Sequence, residues 1–346
     1  MQLKQFNNPT STKKMKIKNC IVCLIALLAL PVLGAFAGTP AGFSVQLVRT
    51  FDYPGSGNST EPQGISDSRA IVGDFFNLSG VVRGFIRFTN GNFSAPLVDP
   101  NDTGSFTLCR GINNSRVICG FYDDALGNSH GFLLSGGTFY NKDIPGSTST
   151  LILGINNTGD WCGSDTKPGP VQVAFLNLDG IITEFAVPGA SYSLAYGINS
   201  SNEVGGYFAD VNGVVHGYFR ESDGEIFAPI DPAGSTGTVI FGINDSDWMV
   251  GRYDDSFGLT HGLLFIPPNR YVTYDFPGST FTSLNGINQA GEIVGRYLDD
   301  GGIEHGIILR VVSTAADQST QGVTPQRQSS QAGSLPSRSQ VEEPAF

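Results

Sequence analysis

Basic residues are scarce in this chain, with 20 Lys and Arg against 31 Asp and Glu. Five of the lysines (Lys4, Lys13, Lys14, Lys16 and Lys18) fall within the first 37 residues, where there is no acid. Beyond residue 37 the balance is 15 bases against 31 acids, a net charge of −16. A basic face for phosphate contacts is therefore lacking, and nucleic acid is not an expected partner. Amphipathic helices are disfavoured too. Three methionines and 15% charged residues, set against 45 glycines and 24 phenylalanines, fit many short strands joined by tight turns. The sequence contains no nucleophile elbow, zinc-ligand pair or phosphate-cradling glycine loop, and no D-x-D-x-D-G calcium loop. No catalytic residue is singled out, and no cofactor is expected.

The one apolar run, Ile21 to Leu33, is too short to span a bilayer and contains Pro31. Lysines precede it and Ala35-Phe36-Ala37 follows, an order that reads as a secretory signal peptide over residues 1–37. A secreted or periplasmic protein without a membrane span after cleavage follows from this. At the other end, 313–346 is rich in Ser, Gln and Pro and is expected to be a disordered tail.

Between these ends the chain repeats. Gly64-Ile65-Ser66, Gly111-Ile112-Asn113, Gly154-Ile155-Asn156, Gly197-Ile198-Asn199, Gly242-Ile243-Asn244 and Gly286-Ile287-Asn288 recur at intervals of 43 to 47 residues. Nine residues after each anchor glycine stands another: Gly73, Gly120, Gly163, Gly206, Gly251 and Gly295. Nineteen after it come Arg83, His130, Val173, His216, His261 and His305. In the last unit, Phe281 to Asn288 reads as strand A, Glu292 to Leu298 as strand B and His305 to Arg310 as strand C. In the unit before, Tyr271 to Phe276 supplies strand D ahead of Pro277-Gly278-Ser279. The last unit lacks a strand D of its own, while Val45 to Tyr53 followed by Pro54-Gly55-Ser56 matches that strand at the chain's beginning. The expected fold is all-β: a six-bladed β-propeller of four-stranded antiparallel blades over residues 43–312, with the N-terminal strand completing the last blade. A linear stack of the six repeats is the other arrangement.

The unit G-I-N-x-x-G-x-I-V-G, a turn, then His-Gly and an apolar residue, is fullest at Gly286 to Gly295 with His305-Gly306. It resembles the extracellular HAF-type repeats of secreted bacterial proteins, from about Val45 to Val312. The first and third units depart from it at Arg83 and Val173. The resemblance implies export and a propeller-like repeat fold and brings no reaction or ligand with it.

All four histidines, His130, His216, His261 and His305, occupy one repeat position. A structural bond within each blade, to a turn carboxylate or a backbone carbonyl, is favoured over metal binding, because equivalent positions are spread around a ring. Acids crowd the turns between strands B and C, with Asp124, Asp210, Asp255 and Asp300 as the candidate binding residues. Tight turns favour Asp in any case, but an acidic funnel on that face would hold a cation, a basic peptide or a hydroxyl-rich sugar. Cys109 and Cys119 flank one turn, which leaves open both a disulfide and, with Cys162, three buried thiols. Eight N-x-S/T sequons occur, four of them at the anchor asparagines, where turn chemistry explains them better than glycosylation does. The functional expectation is a monomeric, non-catalytic binding or scaffold protein whose partner is a glycan, a cation or an extracellular protein. The alternative is an extracellular polysaccharide hydrolase or lyase using carboxylates from different blades.

Overall fold

The computed structural model describes residues 42–57, 59–169 and 171–313; the expected signal peptide and residues 314–346 of the expected tail lie outside them. Each repeat unit folds as an antiparallel meander. Unit 2 runs Thr107–Ile112, Ile118–Asp123, Ser129–Ser135 and Thr138–Asn141 as strands A to D, and unit 6 supplies Thr282–Ile287, Glu292–Leu298 and Glu304–Ser313 as A to C. Among the described residues no helix is long and apolar enough to cross a membrane.

Four sheets are separate four-stranded antiparallel blades, formed by units 2, 3, 4 and 5. The expectation of six separate blades is not what the hydrogen bonding gives, because the remaining seven strands form one sheet. In it the N-terminal strand Phe43–Phe51 pairs antiparallel with Glu304–Ser313, from Phe43 opposite Ser313 to Phe51 opposite Gly306. A single parallel bridge, Ser59 to Glu304, joins that group to Ser59–Ile65, Ile71–Phe76 and Val82–Arg87 of unit 1. Unit 1 has no regular fourth strand. Leu97 and Phe93 make only isolated bridges to Gly84 and Arg87, and Pro96 between them has no N–H to give a ladder.

The sheets stand around an axis with their A strands innermost, each touching the next and the last, Thr282–Ile287, touching the first, Ser59–Ile65. This arrangement is a β-propeller. It explains both invariant glycines. A Cβ on Gly64 would lie 2.9 Å from the Arg110 carbonyl oxygen, and one on Gly286 2.8 Å from that of Gln63, so the anchors pack backbone against backbone around the axis. A Cβ on Gly163 would run into the carbonyl of Leu151 on its own strand A, and the same holds for the other five glycines at that position. The anchor asparagines tie neighbours together: Asn113 donates to the Asn156 carbonyl, Asn156 to Asn199, Asn244 to Asn288 and Asn288 to Ser66. These buried side chains are thus spent on structure, and the sequons at Asn113, Asn156, Asn199 and Asn244 are closed to a glycan.

Apolar side chains fill the space between adjacent units. Val72 of unit 1 packs with Cys109 and Phe132 of unit 2, and Cys119 of unit 2 packs with Ile152 and Phe175 of unit 3. Burying a side chain of Leu or Phe size contributes about 1.5–3 kcal/mol, and no unit could obtain that alone. The same packing decides the cysteines. Cys109 pairs with Gly120 and Cys119 with Gly111, and the two side chains enter interfaces on opposite faces of their sheet. The disulfide is not formed, and Cys109, Cys119 and Cys162 are buried thiols.

Candidate functional site

Three places gather polar chemistry: the turns on the B–C face, the wall of the central channel, and a groove between units 1 and 2. On the B–C face, the residue thirteen after the anchor glycine caps its own turn in every unit but the third. Asp124 accepts N–H bonds from Leu126 and Asn128 at 2.8 and 2.9 Å, Asp210 from Asn212 and Val214, and Asp255 from Phe257 and Leu259. In unit 6 this residue is Asp299, bonded by Gly301 and Ile303. The candidate Asp300 is one position off and takes no part in the cap.

The second carboxylate oxygen of these residues faces the histidine six positions on. The separations are 3.4 Å for His130, 3.3 Å for His261, 3.2 Å for His305 and 4.0 Å for His216. The other ring nitrogen, Nδ1, meets an aspartate at the end of strand D: Asp143 at 2.8 Å, Asp231 at 2.6 Å, Asp275 at 2.9 Å and, for His305, Asp52 from the N-terminal strand at 2.9 Å. Burial alone would depress the imidazoles of His130, His261 and His305, but their paired carboxylates hold them above the ordinary histidine range. Asp210, Asp255 and Asp299 are held below the usual carboxylate range, chiefly by the N–H groups of their turns.

Each clamp binds strand C to the end of strand D, and in His130, His261 and His305 both imidazole nitrogens have a carboxylate partner. Unit 3 loses all members together, with Lys167, Val173 and Ala186 in their places, and Lys167 pairs instead with Asp165 and Glu184 at 2.9 and 2.7 Å. In unit 1, Arg83 binds Asp102 at 2.9 Å. Among the described residues, one group gathers three carboxylates close enough to hold a cation, the acidic turn of Glu221, Asp223 and Glu225.

The channel wall is where the units differ. All six A–B ladders skip the residue just before the anchor glycine: Gln63, Arg110, Leu153, Tyr196, Phe241 and Asn285. The side chains released by this bulge reach across the axis. Arg110 of unit 2 lies 5.7 Å from the ring of Tyr196 in unit 4, bypassing unit 3. Tyr196 meets Phe241 edge-on at 5.1 Å, and Arg252 lies 5.8 Å from Phe241 and 5.3 Å from Phe281. Arg296 lies 5.5 Å from Phe281, is ion-paired with Glu61 and is 3.1 Å from Glu304. Arg110 donates to Gln63 at 2.7 Å, and Gln63 donates to Asp74 at 3.2 Å. Burial pushes the Asp74 carboxyl up to about 7, against the opposing pull of Arg110 and Gln63. Below this girdle the floor is a ring of anchor isoleucines, among them Ile65, Ile112 and Ile155, around a cavity of about 60 Å³. The girdle also holds a carboxylate pair from different units. Ser59 Oγ is 2.9 Å from Glu61 and 2.7 Å from Glu304, so less than about 6 Å separates those oxygens.

The groove lies on the opposite face from the clamps. The C–D turns of units 1 and 2 and the A–B turn residues Ser68 and Arg116 enclose about 650 Å³. Phe88, Phe93, Phe139, Ile86, Leu97 and Leu134 give it an apolar wall, and Thr89, Asn90, Asn92 and Ser94 give it polar groups. Repeat spacing contains no sign of it, because C–D turns are where the units vary most.

Comparison with solved structures agrees with the architecture. A mutant of the Aleuria aurantia lectin in complex with Fucalpha1-6GlcNAc superposes with a TM-score of 0.50 at 11% identity, over 76% of this chain and 96% of that one. The complex of the mutant with alpha-methyl-L-fucoside gives the same values. The shared feature is the propeller fold. No protein-family model matches the chain, and no curated protein does.

Proposed function

We propose that this chain is a secreted, non-catalytic carbohydrate-binding β-propeller built of six HAF-type units. In this reading the seven-stranded sheet is two blades, unit 1 and the unit 6 group with its N-terminal strand, sewn together at Ser59 and Glu304. The observation that carries the function is the groove of about 650 Å³ between units 1 and 2. Its aromatic side chains suit the C–H faces of a sugar ring, and its amides and hydroxyls suit the ring's hydroxyls. Asp124, Asp255 and Asp299 are less suited to a ligand, since each is committed to its cap and its histidine. The likeness in fold to lectins solved with fucosides supports trying that sugar class first.

The test is a glycan array followed by titration calorimetry on the protein and its Phe139→Ala/Asn92→Ala variant, with alpha-methyl-L-fucoside as first probe. Binding weakened tenfold or more in the variant is expected; equal binding by both would remove the groove from the reading. A polysaccharide hydrolase or lyase is the second reading, and Glu61 with Glu304 is the pair that favours it. Release of reducing ends from polysaccharide, lost in Glu304→Gln, would establish it over the first.

A further inference from the structure

Among the girdle arginines, two have oxygen partners and one does not. Arg296 is matched by Glu61 and Glu304, and Arg110 by the side-chain amide oxygen of Gln63. Arg252 has no hydrogen bond or ion pair with any described residue, and its buried Nε is unpartnered. Its contacts are the rings of Phe241 and Phe281, which attract the cation but offer no lone pair to its N–H groups. Its Nε has given up hydration without receiving an acceptor in return, while its terminal N–H groups stay accessible to a ligand.

We propose that the channel is a binding site for a small ring-bearing carboxylate, of the size of one uronic acid residue, held at Arg252. A carboxylate supplies two oxygens in the plane and spacing of the guanidinium fork. Phe241 and Phe281 flank the Arg252 guanidinium and Tyr196 meets Phe241, so aromatic faces lie beside the fork for a small ring to pack on. The nearby charges allow an anion there: Glu61 and Glu304 are paired to Arg296, and burial pushes the Asp74 carboxyl up to about 7, so it is mostly protonated below neutral pH. The anchor isoleucines and A–B turn residues leave only a pocket of about 60 Å³ on their side, so the ligand is taken to enter from the B–C face. This site is separate from the groove between units 1 and 2 and does not rest on the glycan reading of it.

The experiment is calorimetric titration of the full-length protein with D-glucuronate at pH 6.5, with D-glucose as the neutral match and sodium sulfate as competitor. Glucuronate binding is expected, with glucose silent and sulfate a poor displacer. Arg252→Gln is expected to weaken binding about ten- to a hundredfold. Arg252→Lys keeps the charge and loses the fork, and is expected to fall between; it serves if the glutamine variant does not fold, as judged by circular dichroism. Phe139→Ala/Asn92→Ala is expected to bind glucuronate as the parent does. No glucuronate binding, unchanged affinity in both Arg252 variants, or sulfate displacing glucuronate at equal concentration would each overturn the proposal.

Discussion

Asp74 offers a sharp test of the channel's electrostatics. The side chain is almost wholly buried, with Gln63 donating to it, Arg110 attracting it and Glu304 repelling it. Its carboxyl rises from 3.8 to about 7, with burial the main cause. Because the folded state binds the proton more tightly than the unfolded chain does, stability falls as pH rises from about 4 to about 7. Three pH units at about 1.4 kcal/mol each put the loss at no more than about 4 kcal/mol. Asp74→Asn is nearly isosteric and keeps an oxygen for Gln63, but it has nothing to ionise. The two proteins are therefore expected to melt together near pH 4, and the variant to melt higher by pH 8. At about 2–4 °C per kcal/mol for a domain of this size, the gap reaches roughly 10 °C. Melting curves by circular dichroism at pH 4, 6 and 8 measure it, and every other titrating group cancels in the difference. A gap that stays constant over this range, or a variant less stable at pH 8, would refute the reasoning.

The remaining predictions concern the scaffold. Gly163→Ala drives a methyl into the Leu151 carbonyl and is expected to cost more than about 3 kcal/mol in urea unfolding, whereas Gly213→Ala, at positive φ in open space, is expected to cost about 1 kcal/mol. His305→Ala breaks the tie between strand C and Asp52 and is expected to cost about 1 kcal/mol, after allowance for the half-exposed aspartate. With its folded pKa raised, the His305 contribution is full below about pH 6.5 and is lost as pH climbs through the folded value, so wild type and variant should converge in alkaline melts. Cys109, Cys119 and Cys162 are expected to resist alkylation in the native protein and all to alkylate in urea without reductant, as read by peptide mass; burial pushes the Cys119 thiol up to about 12.

Repetition made the scaffold readable. The anchor glycines recur in all six units and the asparagines in five, because each presses its backbone, or donates its amide, to the next unit at the axis. Half of each clamp was legible for the same reason, since turn aspartate and histidine keep a fixed spacing. The other half was hidden. Asp143, Asp231 and Asp275 follow C–D turns of unequal length, and Asp52 is 253 residues from its histidine. Counting thirteen from the anchor glycine selects Asp299, and not its neighbour Asp300, as the clamp carboxylate of the last unit. The merger of two units into one sheet was beyond spacing alone, as it turns on one bridge between Ser59 and Glu304.

The channel wall escaped notice because it shows the opposite signal. A bulge before each anchor drops one residue from the ladder, so no pairing constrains its side chain and it points to the axis, where all units converge. Such positions are free to diverge while their neighbours are held, and they did: glutamine, arginine, leucine, tyrosine, phenylalanine and asparagine stand at the six copies. Unlike side chains meeting at one point are what selective binding requires, and a ring of identical units can present them only where its own hydrogen bonding stops. In a closed repeat of this kind, the search for a site therefore belongs at the bulged, disagreeing positions, and the conserved motif marks the frame that holds them.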